Sequence, residues 1–135
     1  MDRPKILVVD DERDVVEFIE HALRVEQFDV VTAYDGLSAL DAAEMEMPDL
    51  ILLDIMMPMM SGYEVAQQLK ANPQTQHIPI VCLTSAHTVD ARIRSRQVGA
   101  VTIVMKPFTP AELVAQIRRH LPKRETKTQE GQGQS

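Results

Sequence analysis

Leu50-Ile51-Leu52-Leu53-Asp54 is an unbroken apolar run ended by a carboxylate, and Pro58 closes off the segment that follows it. A run that is apolar throughout, instead of alternating, suits a parallel strand covered by helices on both faces. Similar short runs recur at Ile6-Leu7-Val8-Val9, Ile80-Val81-Cys82-Leu83 and Val101-Thr102-Ile103-Val104, while Val30-Val31-Thr32-Ala33 is less uniformly apolar. Five strands are predicted.

The intervening segments carry helical spacing. Val15, Val16, Ile19, Ala22 and Leu23 fall on one side of a first helix, with Glu17, Glu20 and Arg24 on the other. Leu37, Leu40, Ala43 and Glu44 suggest a second helix. Tyr63, Val65, Ala66 and Leu69 suggest a third, opened by Ser61-Gly62 and closed by Asn72-Pro73. A fourth spans about Val89 to Val98 and carries Arg92, Arg94 and Arg96. The fifth starts after Thr109, an N-cap followed by Pro110 and Glu112, and runs to about Leu121. Five βα units in about 120 residues predict an α/β fold with an open, doubly wound sheet, since a closed eight-stranded barrel needs about twice that length.

The whole chain has 135 residues, 44% of them hydrophobic and 25% charged, which fits one domain and excludes a multidomain enzyme. No apolar run approaches the roughly 20 residues that cross a bilayer, so the expectation is a cytoplasmic protein without membrane insertion. A net charge of −6 argues against a broad surface for nucleic acid. The single cysteine, Cys82, lies inside an apolar run and reads as a small buried hydrophobe. The tail from 122 to 135 lacks apolar residues after Leu121 and is expected to be disordered, or the start of a linker, leaving 1–121 as the folded domain.

In a doubly wound sheet the functional side chains gather at the carboxyl ends of the strands. Here Asp10 and Asp11 follow the first strand, Asp54 ends the third, Thr84 and Ser85 end the fourth, and Lys106 follows the fifth. Clustered carboxylates repel one another, and a hard divalent cation with oxygen ligands is the usual compensation, with Mg²⁺ the natural candidate. A carboxylate beside Mg²⁺ and a lysine can attack a phosphoryl group, and Asp54 is the best-placed nucleophile. Any one of these residues alone reads as a helix cap or a solvated strand end. Their coincidence in one βα series points to function.

These residues form a known pattern: Val9-Asp10-Asp11-Glu12, Leu53-Asp54-Ile55-Met56-Met57-Pro58 with Gly62, Leu83-Thr84-Ser85-Ala86, and Val104-Met105-Lys106-Pro107-Phe108. The chain resembles the receiver domain of two-component response regulators over about residues 3 to 121. The resemblance implies a flavodoxin-like sheet of strand order 2-1-3-4-5. It implies that Asp54 accepts a phosphoryl group from the phosphohistidine of a sensor histidine kinase or a histidine phosphotransfer protein. Asp10, Asp11, Asp54 and the backbone carbonyl of Met56 would hold Mg²⁺, Lys106 would pair with phosphoryl oxygens, and Thr84 would move to hydrogen-bond them. The Lys106–Pro107 peptide is expected to be cis. Output would pass to a downstream effector through the face of the fourth helix, fifth strand and fifth helix. Such a switch phosphorylates and dephosphorylates itself without being a turnover enzyme.

Several positions depart from the family pattern. Three residues before the lysine, where an aromatic switch residue is usual, stands Ile103, which offers no ring edge or hydroxyl. The acidic pair of the winged-helix subfamily is replaced by Val101-Thr102, which leaves Arg92, Arg94, Arg96 and Arg118 without those partners. They read first as a solvated basic face, with an acidic partner as the sharper alternative. Met56 and Ala86, at the positions bordering the path of the hydrolytic water, cannot orient it by hydrogen bonding, so a comparatively long-lived acyl phosphate is expected. Met45, Met47, Met56, Met57, Met59, Met60 and Met105 are expected mainly to fill core gaps, with a soft surface near the site as the alternative. His21, His77, His87 and His120 lie on different segments and suggest no acid or base.

The competing functions are a phosphoacceptor switch, a phosphorylation-independent interaction module of the same fold, and a phosphohydrolase. The last is disfavoured because Met56 stands where haloacid-dehalogenase-type phosphatases place a second Asp. A flavin site is disfavoured because Asp10-Asp11-Glu12 would repel a phosphate.

Overall fold

The computed structural model describes residues 3–85 and 88–122. Ala86, His87 and the tail beyond Pro122 lie outside them, and with them the expectations for Ala86 and for the tail. In chain order the elements are β1 (Lys5–Val9), α1 (Arg13–Val25), β2 (Asp29–Ala33), α2 (Gly36–Glu46), β3 (Leu50–Asp54), α3 (Gly62–Ala71), β4 (Ile80–Thr84), α4 (Val89–Gln97), β5 (Thr102–Met105) and α5 (Pro110–His120). The strands form one parallel sheet in the order β2-β1-β3-β4-β5.

Successive strand side chains point to opposite faces, and both faces are buried. Leu7, Val9, Ile51, Leu53, Ile80 and Cys82 join a core with residues of α2, α3 and α4. Ile6, Val8, Leu50, Leu52, Val81, Leu83 and Val104 join a second core with α1 and α5. This explains why the central runs are apolar at every position. The edge strand β2 is only partly buried, which matches its mixed composition.

The helices begin where their caps dictate. Asp35 accepts from the Ser38 N–H at 2.8 Å, Ser61 and Glu64 form a reciprocal capping box, and Thr109 and Glu112 form another with Pro110 at the first turn. Of the stripe expected in α2, Ala43 is buried and Leu40 packs against the core, joined by Gly36 and Ala39, whereas Leu37 and Glu44 are exposed. Small residues let this helix lie close against the sheet. Strand β5 starts at Thr102, one residue later than expected, and Val101 is exposed.

The methionines correct a second expectation. Met57 is buried, but Met45, Met47, Met56 and Met59 are exposed, so most do not fill the core. Met45 and Met47 lie at the end of α2, and Met56 and Met59 lie in the β3–α3 loop, where the chain is leaving the sheet.

Gly62 permits the tightest approach in the fold. A Cβ there would run into the Asp54 carbonyl oxygen and lie 2.6 Å from the Ile55 Cα, both backbone atoms that cannot swing aside. Gly62 therefore lets α3 start directly against the end of β3. Gly62→Ala is expected to cost about 2–3 kcal/mol, read as a lower urea midpoint, because overpacking against backbone forces the loop to move. A neutral result would mean that the loop has room to yield.

Candidate functional site

The sheet order reverses between β1 and β3, and the crevice outside the carboxyl ends of these neighbouring strands is where such sheets bind ligands. Val9 is in register with Leu53, so Asp10 and Asp54 emerge side by side. Both are almost wholly buried, while Asp11 is exposed. Carboxylate oxygens of Asp10, Asp11 and Asp54 all lie within 4.8 Å of one another.

Lys106, from the end of β5, reaches this cluster. Its Nζ is 2.8 Å from Asp10 Oδ2, 3.6 Å from Asp54 Oδ1 and 3.9 Å from Glu12 Oε1. The Lys106 backbone N–H donates to the Thr84 carbonyl at 2.7 Å, and the Lys106–Pro107 peptide is cis. The Glu12 N–H donates to Asp10 Oδ1 at 2.9 Å, so both oxygens of this buried carboxylate accept hydrogen bonds. The Met56 N–H donates to Asp54 Oδ1 at 3.2 Å, and the Met56 side chain projects to solvent.

The electrostatics follow from crowding. Burial, then the neighbouring Asp10 charge, raises Asp54 from 3.8 to about 6, against the opposing pull of Lys106 and the Met56 N–H. Burial alone would lower Lys106, but the hydrogen bond from it to Asp10 and the charges of Asp54, Asp10 and Glu12 outweigh that and raise it. With these acids ionised, one ammonium faces three close carboxylates, which leaves two negative charges in excess. Oxygen donors at these separations suit a small hard dication, so the residues present fit Mg²⁺.

The structure thus brings Asp10, Asp11, Asp54, Lys106 and the buried Thr84 to one edge. Ile103 sits one strand further out, in register with Cys82 and packed against the core beneath α4, and not at the carboxylates. Cys82 is buried, and burial pushes its thiol up to about 11, in keeping with an inert hydrophobe. Sequence reasoning gave Glu12 no role, although it lies near Lys106 and anchors Asp10 through its backbone. It also missed a largely apolar approach to the site, a cavity of about 480 Å³ lined by Asp14, Val15, Phe18, Ser85, Lys106, Pro107 and Phe108. A larger groove between α1 and α5 lies away from the carboxylates.

A family model described as the response regulator receiver domain matches residues 6–118. The chain belongs to this family. The receiver is 42% identical over 128 residues to a probable transcriptional regulator, ycf27, of Cyanophora paradoxa, covering 95% of this chain and 52% of that protein. It is 40% identical over 121 residues to the transcriptional regulatory protein PrrA of Mycobacterium bovis, covering 90% of this chain and 51% of the relative. The chain therefore spans about half the length of these curated relatives. Among solved structures, the Vibrio cholerae chemotaxis protein CheY4 superposes with a TM-score of 0.86 at 32% identity, covering 89% of this chain and 100% of that one. A Pseudomonas aeruginosa sensor histidine kinase receiver domain, solved with magnesium coordinated in its active-site cleft, gives a TM-score of 0.81 at 30% identity over 87% of this chain and 97% of its own. No described helix of this receiver is long and apolar enough to cross a membrane.

The raised Asp54 makes stability depend on pH in a defined direction. Its ionisation costs nothing below about pH 4, the cost grows as pH rises towards 6, and it is complete above that. Without divalent cations, Asp54→Asn is expected to stabilise the receiver at about pH 7.5 by up to about 3 kcal/mol and by little at about pH 4. Urea midpoints at the two pH values measure this, and an equal gain at both would assign it to another cause.

Proposed function

We propose that this receiver is a phosphoacceptor switch in which Asp54 takes the phosphoryl group of a phosphohistidine on a sensor kinase or phosphotransfer protein. The observation that carries the reading is the buried Asp54 carboxylate set beside Asp10 and within 3.6 Å of the Lys106 ammonium. An Asp54 oxygen forms a bond to phosphorus as the bond from phosphorus to the donor's imidazole nitrogen breaks. Lys106 pairs with the phosphoryl oxygens and offsets their charge. Asp10, Asp11, Asp54 and the Met56 carbonyl would hold Mg²⁺, which when bound neutralises charge on the transferring group. The cavity lined by Phe18, Pro107 and Phe108 gives the donor an apolar approach to the same edge.

The new phosphate adds about −1.5 to −2 charge and strong acceptor oxygens, giving the Thr84 hydroxyl a ligand to move toward. Ile103 then adjusts beneath α4. The seat of α4 supports this reading, because from Val89 to Gln97 it buries Ala91 and Ser95, with Val98 buried at its C-cap, so displacing its first two turns exposes little apolar surface. The switched state acts on an effector through α4, β5 and α5, in the cytoplasm.

Incubation with acetyl phosphate and Mg²⁺ is expected to yield one phosphoryl adduct by intact-mass spectrometry, absent without Mg²⁺ and absent in Asp54→Asn. No adduct on folded, Mg²⁺-binding protein would favour a phosphorylation-independent interaction module. The apolar side chain of Met56 and the methyl of Ala86 give a hydrolytic water no hydrogen bond. Met56→Asn and Ala86→Glu are therefore expected to shorten the adduct's half-life several-fold, about 1 kcal/mol in the barrier. Unchanged decay in both would count against a role for these positions.

A further inference from the structure

The loop that carries the chain away from Asp54 holds four methionines, Met56, Met57, Met59 and Met60. Their surroundings differ. Met57 is buried in the core, and Met60 packs against that core beside Gly36. Met59 is fully exposed and Met56 is 63% exposed. Peroxides convert a solvent-facing thioether to its sulfoxide, whereas packing shields a buried one. The single thiol is a poor competitor for oxidant, because Cys82 is buried and its thiol is pushed up to about 11, which leaves almost none of it as thiolate.

Met56 is set apart from the other exposed methionines by where its side chain starts. Its backbone N–H donates to Asp54 Oδ1 at 3.2 Å, so the side chain leaves the backbone next to the carboxylate proposed to take the phosphoryl group. Met59 lies three residues further along the loop, and Met45 and Met47 precede β3, at the other end of that strand from Asp54. Met56 also borders an open cavity of about 510 Å³ with Tyr63 and Arg94, so an oxygen added to its sulfur meets water and not packed carbon. The thioether is a weak hydrogen-bond acceptor. A sulfoxide is polar, and its oxygen accepts from water much as an amide carbonyl does.

We propose that Met56 is an oxidative modification site through which peroxide shortens the life of the phosphorylated form. The oxidant is hydrogen peroxide or an organic hydroperoxide. The Met56 sulfur attacks the terminal peroxide oxygen, the S–O bond forms as the O–O bond breaks, and the proton on the transferred oxygen passes to the departing one, releasing water or an alcohol. The sulfur gives up two electrons and the peroxide takes them. The sulfoxide oxygen then accepts a hydrogen bond from a water beside the acyl phosphate and holds it for attack on phosphorus. The bond from phosphorus to Asp54 breaks, and inorganic phosphate leaves with the water's oxygen and proton. Thiol-dependent reductases return sulfoxide to thioether, so the change is reversible. The proposal rests on the phosphoacceptor reading and gives that switch a chemical signal that sets its lifetime.

In the test, the full chain is treated with hydrogen peroxide, the excess is removed with catalase, and the Asp54 adduct is formed with acetyl phosphate and Mg²⁺. Peptide mass mapping locates each added oxygen, and circular dichroism checks the fold. After the donor is removed, intact mass follows loss of the adduct in wild type, Met56→Leu and Met59→Leu, each compared with its own untreated form. The expected result is an added oxygen on Met56 and none on Met57 or Cys82, with decay about fivefold faster in oxidised wild type and oxidised Met59→Leu. Oxidised Met56→Leu is expected to decay at its own untreated rate, and a methionine sulfoxide reductase is expected to restore the wild-type rate. Met56 left unoxidised while Met59 is converted, equal acceleration in Met56→Leu, or oxidised protein that unfolds or no longer takes the phosphoryl group overturns the proposal. An adduct that decays alike before and after oxidation removes this proposal and leaves the phosphoacceptor reading standing, whereas no adduct on folded, untreated protein removes that reading and this proposal with it.

Discussion

The mutual repulsion of Asp10, Asp11 and Asp54, answered from within the chain by Lys106, is the constraint around which the carboxyl edge of this sheet is built. Three acids cannot be held this close in a half-desolvated crevice without a counter-charge. The lysine comes from the far edge strand and forms its shortest contact with Asp10, the most enclosed of the three. Asp54 is left with a weaker share of that charge, and burial together with the Asp10 charge raises its pKa. The two aspartates therefore differ in kind. Asp10 is tied down by Lys106 and by the Glu12 N–H, whereas Asp54 accepts only the longer Met56 N–H bond and sits 3.6 Å from the lysine. A carboxylate in that condition gains from an added cation.

The same edge explains how rigidity is distributed among the helices. Helices α1 and α5 bury Val16, Ile19, Leu23, Leu113, Val114 and Ile117 in one continuous core, and α3 starts hard against the end of β3 because Gly62 has no side chain. These elements hold the carboxylates where they are. Helices α2 and α4 bury small residues instead, Gly36, Ala39 and Ala43 in α2 and Ala91 and Ser95 in α4, with Val98 buried at the end of α4 and Leu37, Val89 and Ile93 outside. Burial at roughly 25 cal/mol per Å² makes the difference large, since an alanine and a serine bury far less apolar area than three aliphatic side chains.

The exposed methionines fit this division. Met56 and Met59 stand on the loop between Asp54 and α3, where the backbone is held by the Met56 N–H to Asp54 and by the approach of Gly62, not by side-chain packing. Met57, between them in the same loop, turns inward and joins the core.

Much of this protein was legible in the order of its residues. Uniformly apolar runs such as Leu50–Leu53 and Ile80–Leu83 are fixed by burial on both faces, a local consequence of being a central parallel strand, and Ser61/Glu64 and Thr109/Glu112 mark helix starts by their own hydrogen bonds. The acids and the lysine were legible because strand ends in such a sheet lie on one edge. What the linear order could not fix was anything that depends on the phase or reach of one element against another. In α2 the side packed on the sheet is that of Ala39 and Ala43, so Leu37 faces solvent; in the β3–α3 loop Met57 turns inward while Met56 and Met59 turn outward; and of the α4 arginines Arg94 lies over Tyr63. Periodicity says which residues share a side of a helix. Only the packed neighbours decide which side meets the core, and so which residues remain to meet a partner.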